Sequence, residues 1–435
     1  MTAFRESVCK GLLIHNINRD GKVMRLVALT KSNAMMLLAL AIAFAIGIAE
    51  AVAAQIETPP TISAASILDA QVRGPNYQIE DVVRGDGYLL IFELNTNYGR
   101  YQVQGREMLK VRLRELAAVE ALGRMDKSQA YVDAAAKAAE KPVDLAVGLV
   151  TNPANTVQQS MSGVGAFFSR IGSGLNNVSR SRDNAADSLL GVSSAKRQIA
   201  FKLGVDPYTD FKPLADALEN MARVTALGDL TVSGAFMAIP GGAGLIVSYS
   251  KTTQEVGQMA LDKTPSELRD ANRAKLGAMG VPNKVINAFL DNTFYTPVDQ
   301  TIVVAALGRM TGVKNRGLFI VRASQAPSRD LAFFVRTRAE LLADQHTRVE
   351  PFAAFVDVRG IPLNQTSSGK IVVIAALDEL AWTKQVGDFA AAIDQDVKQR
   401  KLGNTVELRI TGNATASARE ALRERGWKLV QHISQ

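Results

Sequence analysis

The pattern of hydrophobic and polar positions predicts a β-hairpin near residue 97, followed by a long helix. Two β-prone runs, Gly87–Leu94 and Arg100–Gln104, flank the Asn- and Gly-containing segment 95–99, as is typical of a hairpin. Leucine or valine then recurs every three or four residues, at positions 109, 113, 116, 119 and 122. This spacing places the apolar side chains on one face of a helix.

The middle of the chain, residues 126–346, is predicted to be mostly helical. The segments 264–267 (TPSE) and 296–299 (TPVD) each combine a hydroxyl cap, a proline at the first helical position and an acid three residues after the cap. Gly280 and Gly312 stand where those two helices should end. Another helix is predicted from about Pro327, so the region forms a helical bundle in outline.

Short strands and helices alternate in the last part of the chain. The β-prone runs 353–358 and 370–375 are joined by a Gly-, Pro-, Asn- and Ser-rich connection, which suggests a hairpin. Then follow a helix over 383–400, a strand over 405–410, a helix over 415–425 and a strand over 427–430. This order predicts parallel final strands with right-handed crossovers.

These patterns predict a mainly α fold with α+β elements. It comprises an N-terminal signal segment, a small β-hairpin region, a central helical bundle and a C-terminal small α/β domain. The predicted boundaries are a signal region at 1–54, a linker at 55–76, hairpin plus helix at 77–125, a helical domain at 126–346 and an α/β domain at 347–435.

An uncharged run of sixteen residues, Ala34–Ala49, predicts that the chain is exported. Arg25 and Lys31 precede the run and a small-residue segment follows it, so cleavage is expected after Ala53 or Ala54. Met24 would begin a signal peptide of more typical proportions. The alternatives are an uncleaved membrane anchor, because the run approaches the length of a bilayer span, and a buried core helix.

Composition and charge narrow the classes of partner. Residues 1–53 hold six basic and three acidic side chains, so the remainder has a net charge of +5, against +8 for the whole chain. The basic residues do not form a run of five or more, which argues against a nucleic-acid partner and leaves anionic membrane or wall surfaces as candidates. Cys9 lies before the expected cleavage site, so no disulfide is predicted.

Motifs for metal or cofactor binding are missing from the sequence. The three histidines, at 15, 346 and 432, are too dispersed for a usual zinc site, and no phosphate-binding loop or nucleophile elbow is present. No metal and no cofactor is therefore predicted. His346 is interpreted as a polar cap at a helix end.

Two weaker catalytic patterns can be traced. The motif S-x-x-K, in which lysine assists a nucleophilic serine, begins at Ser193, Ser248 and Ser367, but its companion elements do not follow Ser193. Acids close in sequence are candidates for a glycosidase pair. These acids are Asp81 with Asp86 or Glu93, Asp378 with Glu379, and Asp394 with Asp396.

Two places are candidates for binding. Thr411, Gly412 and Asn413 connect a strand to a helix that carries Arg419, and the free amides of a helix start attract anions. An apolar stripe that could face a membrane or a partner protein consists of Val157, Met161, Val164, Phe168 and Ile171. Close packing within the core is the alternative for this stripe and for the Gly-rich apolar stretch 234–247.

The sequence therefore favours an exported, periplasmic or secreted envelope protein with a non-enzymatic binding or structural role. Its expected partners are an envelope protein, a wall polymer or a membrane surface. One alternative is a hydrolase of cell-wall or extracellular material that uses carboxylates or a serine. The other is a membrane-surface-associated protein that is retained by an uncleaved N-terminal helix.

Overall fold

The computed structural model describes residues 56–125, 129–139, 190–227 and 251–434. The described ranges contain thirteen α-helices, an antiparallel N-terminal sheet and a mixed C-terminal sheet, which confirms that the fold combines α and β structure. None of the helices in these ranges is long and apolar enough to cross a bilayer. The run Ala34–Ala49, the cleavage residues Ala53 and Ala54, the stripe from Val157 to Ile171 and the stretch 234–247 lie outside the described residues.

The N-terminal sheet is antiparallel throughout, and its longest strand is β5. Leu90, Phe92 and Leu94 alternate along β5 and are buried. The hairpin of β5 and β6 is confirmed, although β5 begins three residues later than Gly87, because Asp86 accepts hydrogen bonds from the amides of Tyr88 and Leu89 and holds them in a turn. The strands are β1 Thr61–Ser63, β2 Arg73–Gly74, β3 Tyr77–Ile79, β4 Val82–Gly85, β5 Leu90–Thr96 and β6 Gly99–Gln104, with helix α1 Ala64–Leu68 after β1.

Four helices pack with this sheet or follow it in the described chain: α2 Arg106–Met125, α3 Gln129–Ala139, α4 Leu190–Leu203 and α5 Lys212–Leu227. The apolar face predicted for α2 is confirmed, because Leu109, Leu116, Val119 and Leu122 are buried and Leu113 is partly buried against them. They share one hydrophobic cluster with residues of the sheet, α4 and α5.

Six further helices form the next part of the fold: α6 Lys251–Asp262, α7 Pro265–Ala278, α8 Asn283–Leu290, α9 Pro297–Arg309, α10 Gly317–Ala323 and α11 Arg329–Arg348. The predicted starts of α7 and α9 are confirmed, because Thr264 and Thr296 each form a capping box with the acid three residues on. Gly280 and Gly312 follow these helices with φ of 77° and 81°, a backbone conformation that favours glycine.

Helices α7, α9 and α11 run parallel to one another. Asn272 in α7 donates to Thr301 in α9. Seven residues later along both segments, the Met279 side chain lies beside Gly308. The register from α9 to α11 advances in the same direction, from the Arg329–Asp299 ion pair near the helix starts to the Arg309–Asp344 pair near the helix ends. The carboxyl ends of all three helices therefore lie at the same end of this group.

The C-terminal sheet has the strand order β13-β11-β9-β8-β7. The parallel arrangement predicted for the final strands is confirmed for β9, β11 and β13. The predicted hairpin of 353–358 with 370–375 is wrong, because β8 lies between these strands and pairs with both. The elements are β7 Phe352–Val358, β8 Ile361–Thr366, β9 Lys370–Ala375, β10 Glu379–Leu380, α12 Lys384–Gln399, β11 Thr405–Ile410, β12 Asn413–Ala414, α13 Ala416–Glu424 and β13 Lys428–Val430.

A single hydrophobic cluster joins α7–α11 to the C-terminal sheet. Phe289, Phe319 and Phe355 are among its fully buried side chains, and the rings of Phe319 and Phe355 are 6.0 Å apart. The second cluster, which includes the N-terminal sheet, reaches α11 through Phe333. Helix α11 thus contributes side chains to both clusters.

Candidate functional site

The predicted ligand residues follow β11 directly: Thr411 and Gly412 form a turn that packs closely against residues 377 and 378, and Asn413 begins the short strand β12. The Thr411 hydroxyl donates to the Leu377 carbonyl at 2.8 Å, and the Asn413 amide donates to the Asp378 carbonyl at 3.0 Å. A Cβ on Gly412 would lie only 2.0 Å from that same Asp378 oxygen. The loop therefore requires glycine at position 412.

A carboxylate of the chain itself lies at the start of α13, the helix end for which an anion is predicted. Thr415 caps this helix by accepting from the Ala418 amide at 3.1 Å, and its hydroxyl donates to the Glu57 carboxylate. Glu57 Oε1 also accepts from the Trp382 amide at 2.5 Å. The predicted Arg419 turns back and donates to the Ala414 carbonyl at 2.6 Å.

The carboxyl ends of β9 and β11 are covered by N-terminal residues. The amides of Asp378 and Ala381 donate to the carbonyls of Tyr88 and Gly87 at 3.0 and 3.1 Å. Glu57 adds a further backbone hydrogen bond, from its amide to the Trp382 carbonyl at 3.0 Å. Ligands of open α/β sheets usually bind beyond the carboxyl ends of parallel strands, and here that region, which we call the covered edge, is filled by the protein's own chain.

Asp378 is the titratable group at the centre of the covered edge. Its side chain is buried, and its Oδ2 accepts from the amides of Leu90 and Arg106, each at 3.0 Å. Burial raises the pKa of Asp378 to about 7, and the two amides only partly oppose this shift. A pKa near neutrality suits acid-base chemistry, but the hydrogen bonds of this carboxyl go to backbone amides and none to a second titratable side chain.

A second charged group, which we call the ionic chain, links α2, the α4–α5 loop, α9 and α11. Its contacts are 2.7 Å for Arg112–Glu115 and for Arg112–Asp210, 3.2 Å for Arg329–Asp210, 2.5 Å for Arg329–Asp299, 3.8 Å for Arg336–Asp299 and 3.2 Å for Arg336–Glu340. Most of these side chains are largely buried, and Asp210 is the most exposed at 32%. The ionic chain joins α2, whose buried apolar residues belong to the second cluster, to α9 and α11, whose buried apolar residues belong mostly to the first.

The acids of this region differ widely in proton affinity. Burial would raise the pKa of Asp210, but Arg112 and Arg329 outweigh it and lower that pKa to about 2. Burial raises the pKa of Asp330 to about 6. Burial, together with the nearby Asp299 carboxylate, also raises the pKa of Asp206, which accepts from the Thr296 hydroxyl at 2.5 Å. In the ionic chain itself, three arginines pair with four carboxyl groups, those of Glu115, Asp210, Asp299 and Glu340.

The S-x-x-K serines have no lysine positioned to activate them in the described structure. Ser193 accepts from Arg197 at 2.8 Å, whereas Lys196 lies 3.4 Å from Glu219. Lys370, three residues after Ser367, forms ion pairs with Glu350 and Glu407 at 2.6 and 3.1 Å. Ser248 lies outside the described residues.

The paired acids of the sequence are likewise engaged with other groups. Asp81 accepts from Ser63 at 2.6 Å, Asp86 from Gln104 at 2.6 Å and Glu93 from Gln102 at 2.8 Å. Glu379 shares a hydrogen bond with Asn413. Asp394 accepts from the Trp427 indole at 2.7 Å and pairs with Arg425, whereas Asp396 pairs with Arg400. His346 lies in the last turn of α11 and accepts from the Phe352 amide at 2.9 Å.

Two concavities in the described structure are small or shallow. The first is an apolar cavity of about 30 Å³ between the C-terminal sheet and its helices, with Tyr88, Trp382 and Trp427 among its walls. Such a volume holds at most about one water molecule. The second, of about 190 Å³, lies against the N-terminal sheet beside Arg73 and Asp81. Neither is lined by two carboxyl groups.

Sequence reasoning named Asp378 but not its partners, and it did not name Glu57. Leu90 and Arg106 are 288 and 272 residues away from Asp378, and Thr415 is 358 residues away from Glu57. Spacing within a single sequence carries no signal for such contacts.

In the described ranges, no group of three or more His, Cys, Asp or Glu side chains is arranged to hold a metal ion. Comparisons with known protein families, with curated proteins and with solved structures find no match to this chain.

Proposed function

We propose that this protein is an exported, non-enzymatic binding protein of the cell envelope. The observation that carries the proposal is the covered edge, because Glu57, Gly87 and Tyr88 fill the region where an α/β sheet of this kind would otherwise receive a substrate. The candidate serine Ser193 and the candidate acids of the described residues are bound to other groups of the protein, which also supports a binding role over hydrolysis.

Export is proposed from the apolar run Ala34–Ala49 and the small residues that follow it, with residues 1–54 as the signal region. A reporter that is active only outside the cytoplasm, fused after Gln55, should be active. The matched variant Leu38→Arg, which places a charge in the run, should abolish that activity. Sequencing the N-terminus of the recovered protein should give a start at Ala54 or Gln55, whereas a start at Met1 or Met24 would support the retained anchor.

The binding role is tested by incubating the recovered protein with isolated wall polymer and with envelope membranes. We expect it to sediment with one of these fractions without releasing soluble fragments, as followed by mass spectrometry. Fragment release that Asp378→Asn abolishes, while folding is preserved, would replace the binding role by a hydrolase that uses this carboxyl.

A further inference from the structure

A basic surface lies at the carboxyl ends of the parallel helices α7, α9 and α11. A Cβ on Gly308 would lie 3.7 Å from the Met279 side chain, and one on Gly317 would lie 3.6 Å from Val281, so these residues are neighbours. The Lys314 amide donates to the Ala353 carbonyl at 2.9 Å, and the loops after these helices therefore lie side by side. The exposed cations on these loops and helix ends, which we call the basic face, are Lys275, Lys284, Lys314 and Arg348.

The positive charge of the basic face is not neutralised by acids of the described chain. Within the described ranges, none of the four cations has a carboxylate at ion-pair distance. The acids nearest in sequence to Arg348 are already paired, Asp344 with Arg309 at 2.6 Å and Glu350 with both Lys370 and Arg409 at 2.6 Å. The face therefore presents a local excess of positive charge to solvent.

Helix dipoles do not account for this whole set of cations. A basic residue near the carboxyl end of a helix is favourable, which explains Lys275 in α7 and Arg348 in α11. Lys284, however, lies in the first turn of α8, where the dipole disfavours a cation, and Lys314 lies in a loop. A bound anion would stabilise these two lysines, which the helix dipoles do not.

The apolar character of the same face selects the kind of anion. Val349, adjacent to Arg348, is 62% exposed, and Gly280 and Gly312 have open space beside them, so the backbone can approach a surface closely. An apolar side chain among lysines and arginines suits a bilayer interface, where cations meet phosphate headgroups and apolar atoms enter the boundary region.

We propose that the basic face binds the anionic headgroups of a phospholipid bilayer. This inference rests on the proposed function, because it names the surface with which an exported binding protein would meet the envelope. The reporter fusion after Gln55 tests export separately, so the failure of either proposal can be recognised without the other.

The test uses protein recovered from the exported fraction and vesicles of phosphatidylcholine with or without phosphatidylglycerol. Binding to pure phosphatidylcholine measures any contribution of a retained apolar segment. The test variant is Lys284→Gln with Lys314→Gln. The control variant, Lys212→Gln with Lys384→Gln, removes two lysines from the surface ion pairs with Asp216 and Asp388. Circular dichroism and thermal unfolding establish that all forms are folded.

We expect the unmodified protein to bind only the vesicles with phosphatidylglycerol, and less strongly as salt is raised. The test variant should bind about twenty-five-fold more weakly, at about five-fold per lysine, while the control keeps its affinity. Equal binding by the test variant and the unmodified protein would overturn the inference. So would binding to soluble polyphosphate without binding to vesicles, which would instead make the face a polymer site.

Discussion

Arg338 supplies a hydrogen-bond donor at the point in the sheet where Pro362 has none. The β8–β9 ladder is formed by Asn364 with Val372 and Gln365 with Ile371, and it does not extend to Pro362, which has no N–H. There Arg338 of α11 donates from Nε to the Ile374 carbonyl at 2.8 Å and from Nη2 to the Pro362 carbonyl at 2.5 Å. A buried guanidinium thus ties two strands of the sheet to the helix.

Replacing Arg338 should cost more stability than replacing an exposed arginine of the same helix. Arg338→Met leaves two buried carbonyls without donors, so we expect the free energy of unfolding to fall by about 2 to 4 kcal/mol. Arg348→Met is the matched control, and because it removes only a favourable interaction with the helix dipole it should lower the free energy of unfolding by at most about 1 kcal/mol. Urea unfolding measures both, and equal effects would show that the guanidinium does not replace the missing donor.

Restoring the backbone donor should weaken the dependence on Arg338. Pro362→Ala supplies an N–H, so Arg338→Met should cost about 1 kcal/mol less in that background than in the original chain. A double-mutant cycle by urea unfolding gives this coupling. A coupling energy of zero would mean that the two residues act independently.

Asp378 should make stability fall as pH rises towards neutrality. Because burial raises its pKa from 3.8 to about 7, the folded chain holds this proton more tightly than the unfolded chain does. Its contribution to stability is therefore full below about pH 4 and is lost as pH rises through about 7. Asp378→Asn keeps an acceptor oxygen without the charge, so the unfolding free energy should depend less steeply on pH over that interval.

The control for this titration is Asp388→Asn, which changes an exposed aspartate of α12. Its slope of unfolding free energy against pH gives the effect of removing one exposed carboxylate, and the slope for Asp378→Asn is compared with it. If Asp378→Asn leaves the slope unchanged, then the carboxyl at position 378 does not bind a proton near neutrality.

Gly412 and Gly277 should respond to alanine with opposite signs. In Gly412→Ala the new Cβ would meet the Asp378 carbonyl at 2.0 Å, so the loop must shift and stability should fall by about 2 to 4 kcal/mol. Gly277 in α7 has open space, and Gly277→Ala should stabilise the protein by about 0.5 to 1 kcal/mol. Thermal unfolding of the two variants compares them, and a neutral Gly412→Ala would contradict the close approach.

The ionic chain should contribute more to stability than a surface pair. Asp210→Asn leaves Arg112 and Arg329 with one acceptor fewer, and we expect a loss of about 1 to 3 kcal/mol near neutral pH. Because the pKa of Asp210 lies at about 2, the unmodified protein should lose this contribution only as pH falls from about 4 through about 2. Asp216→Asn breaks an exposed pair with Lys212 and should cost at most about 0.5 kcal/mol.

Local signals in the sequence located several elements, whereas turn-forming residues concealed others. The capping boxes at Thr264 and Thr296 marked true helix starts, because a cap and its partner are only three residues apart. Strand β8 was missed because Pro362 and Asn364 are turn formers that resemble a loop, and the donor that makes the proline tolerable, Arg338, is 24 residues away. Only tertiary contact brings these groups together.

In the candidate site, too, local patterns were predicted and tertiary contacts were not. Thr411 and Gly412 lie between a strand and a helix as local patterns predicted, whereas Asn413 begins the two-residue strand β12, which those patterns did not indicate. Their ligand role stays a prediction, as do export and the membrane face from Val157 to Ile171. The covering of the edge by Glu57 could not be foreseen, because a glutamate at this position in the sequence is equally consistent with an exposed, solvated side chain.

Hydrogen exchange at the covered edge tests most directly whether the N-terminal residues close it. The amides of Leu90, Arg106, Asp378 and Ala381 each donate a hydrogen bond across this edge. We expect all four to exchange as slowly as the buried amides of α9 and α11, because they open only when the fold does. Fast exchange at these four amides, with α9 and α11 still protected, would mean that the edge opens and is free to admit a substrate.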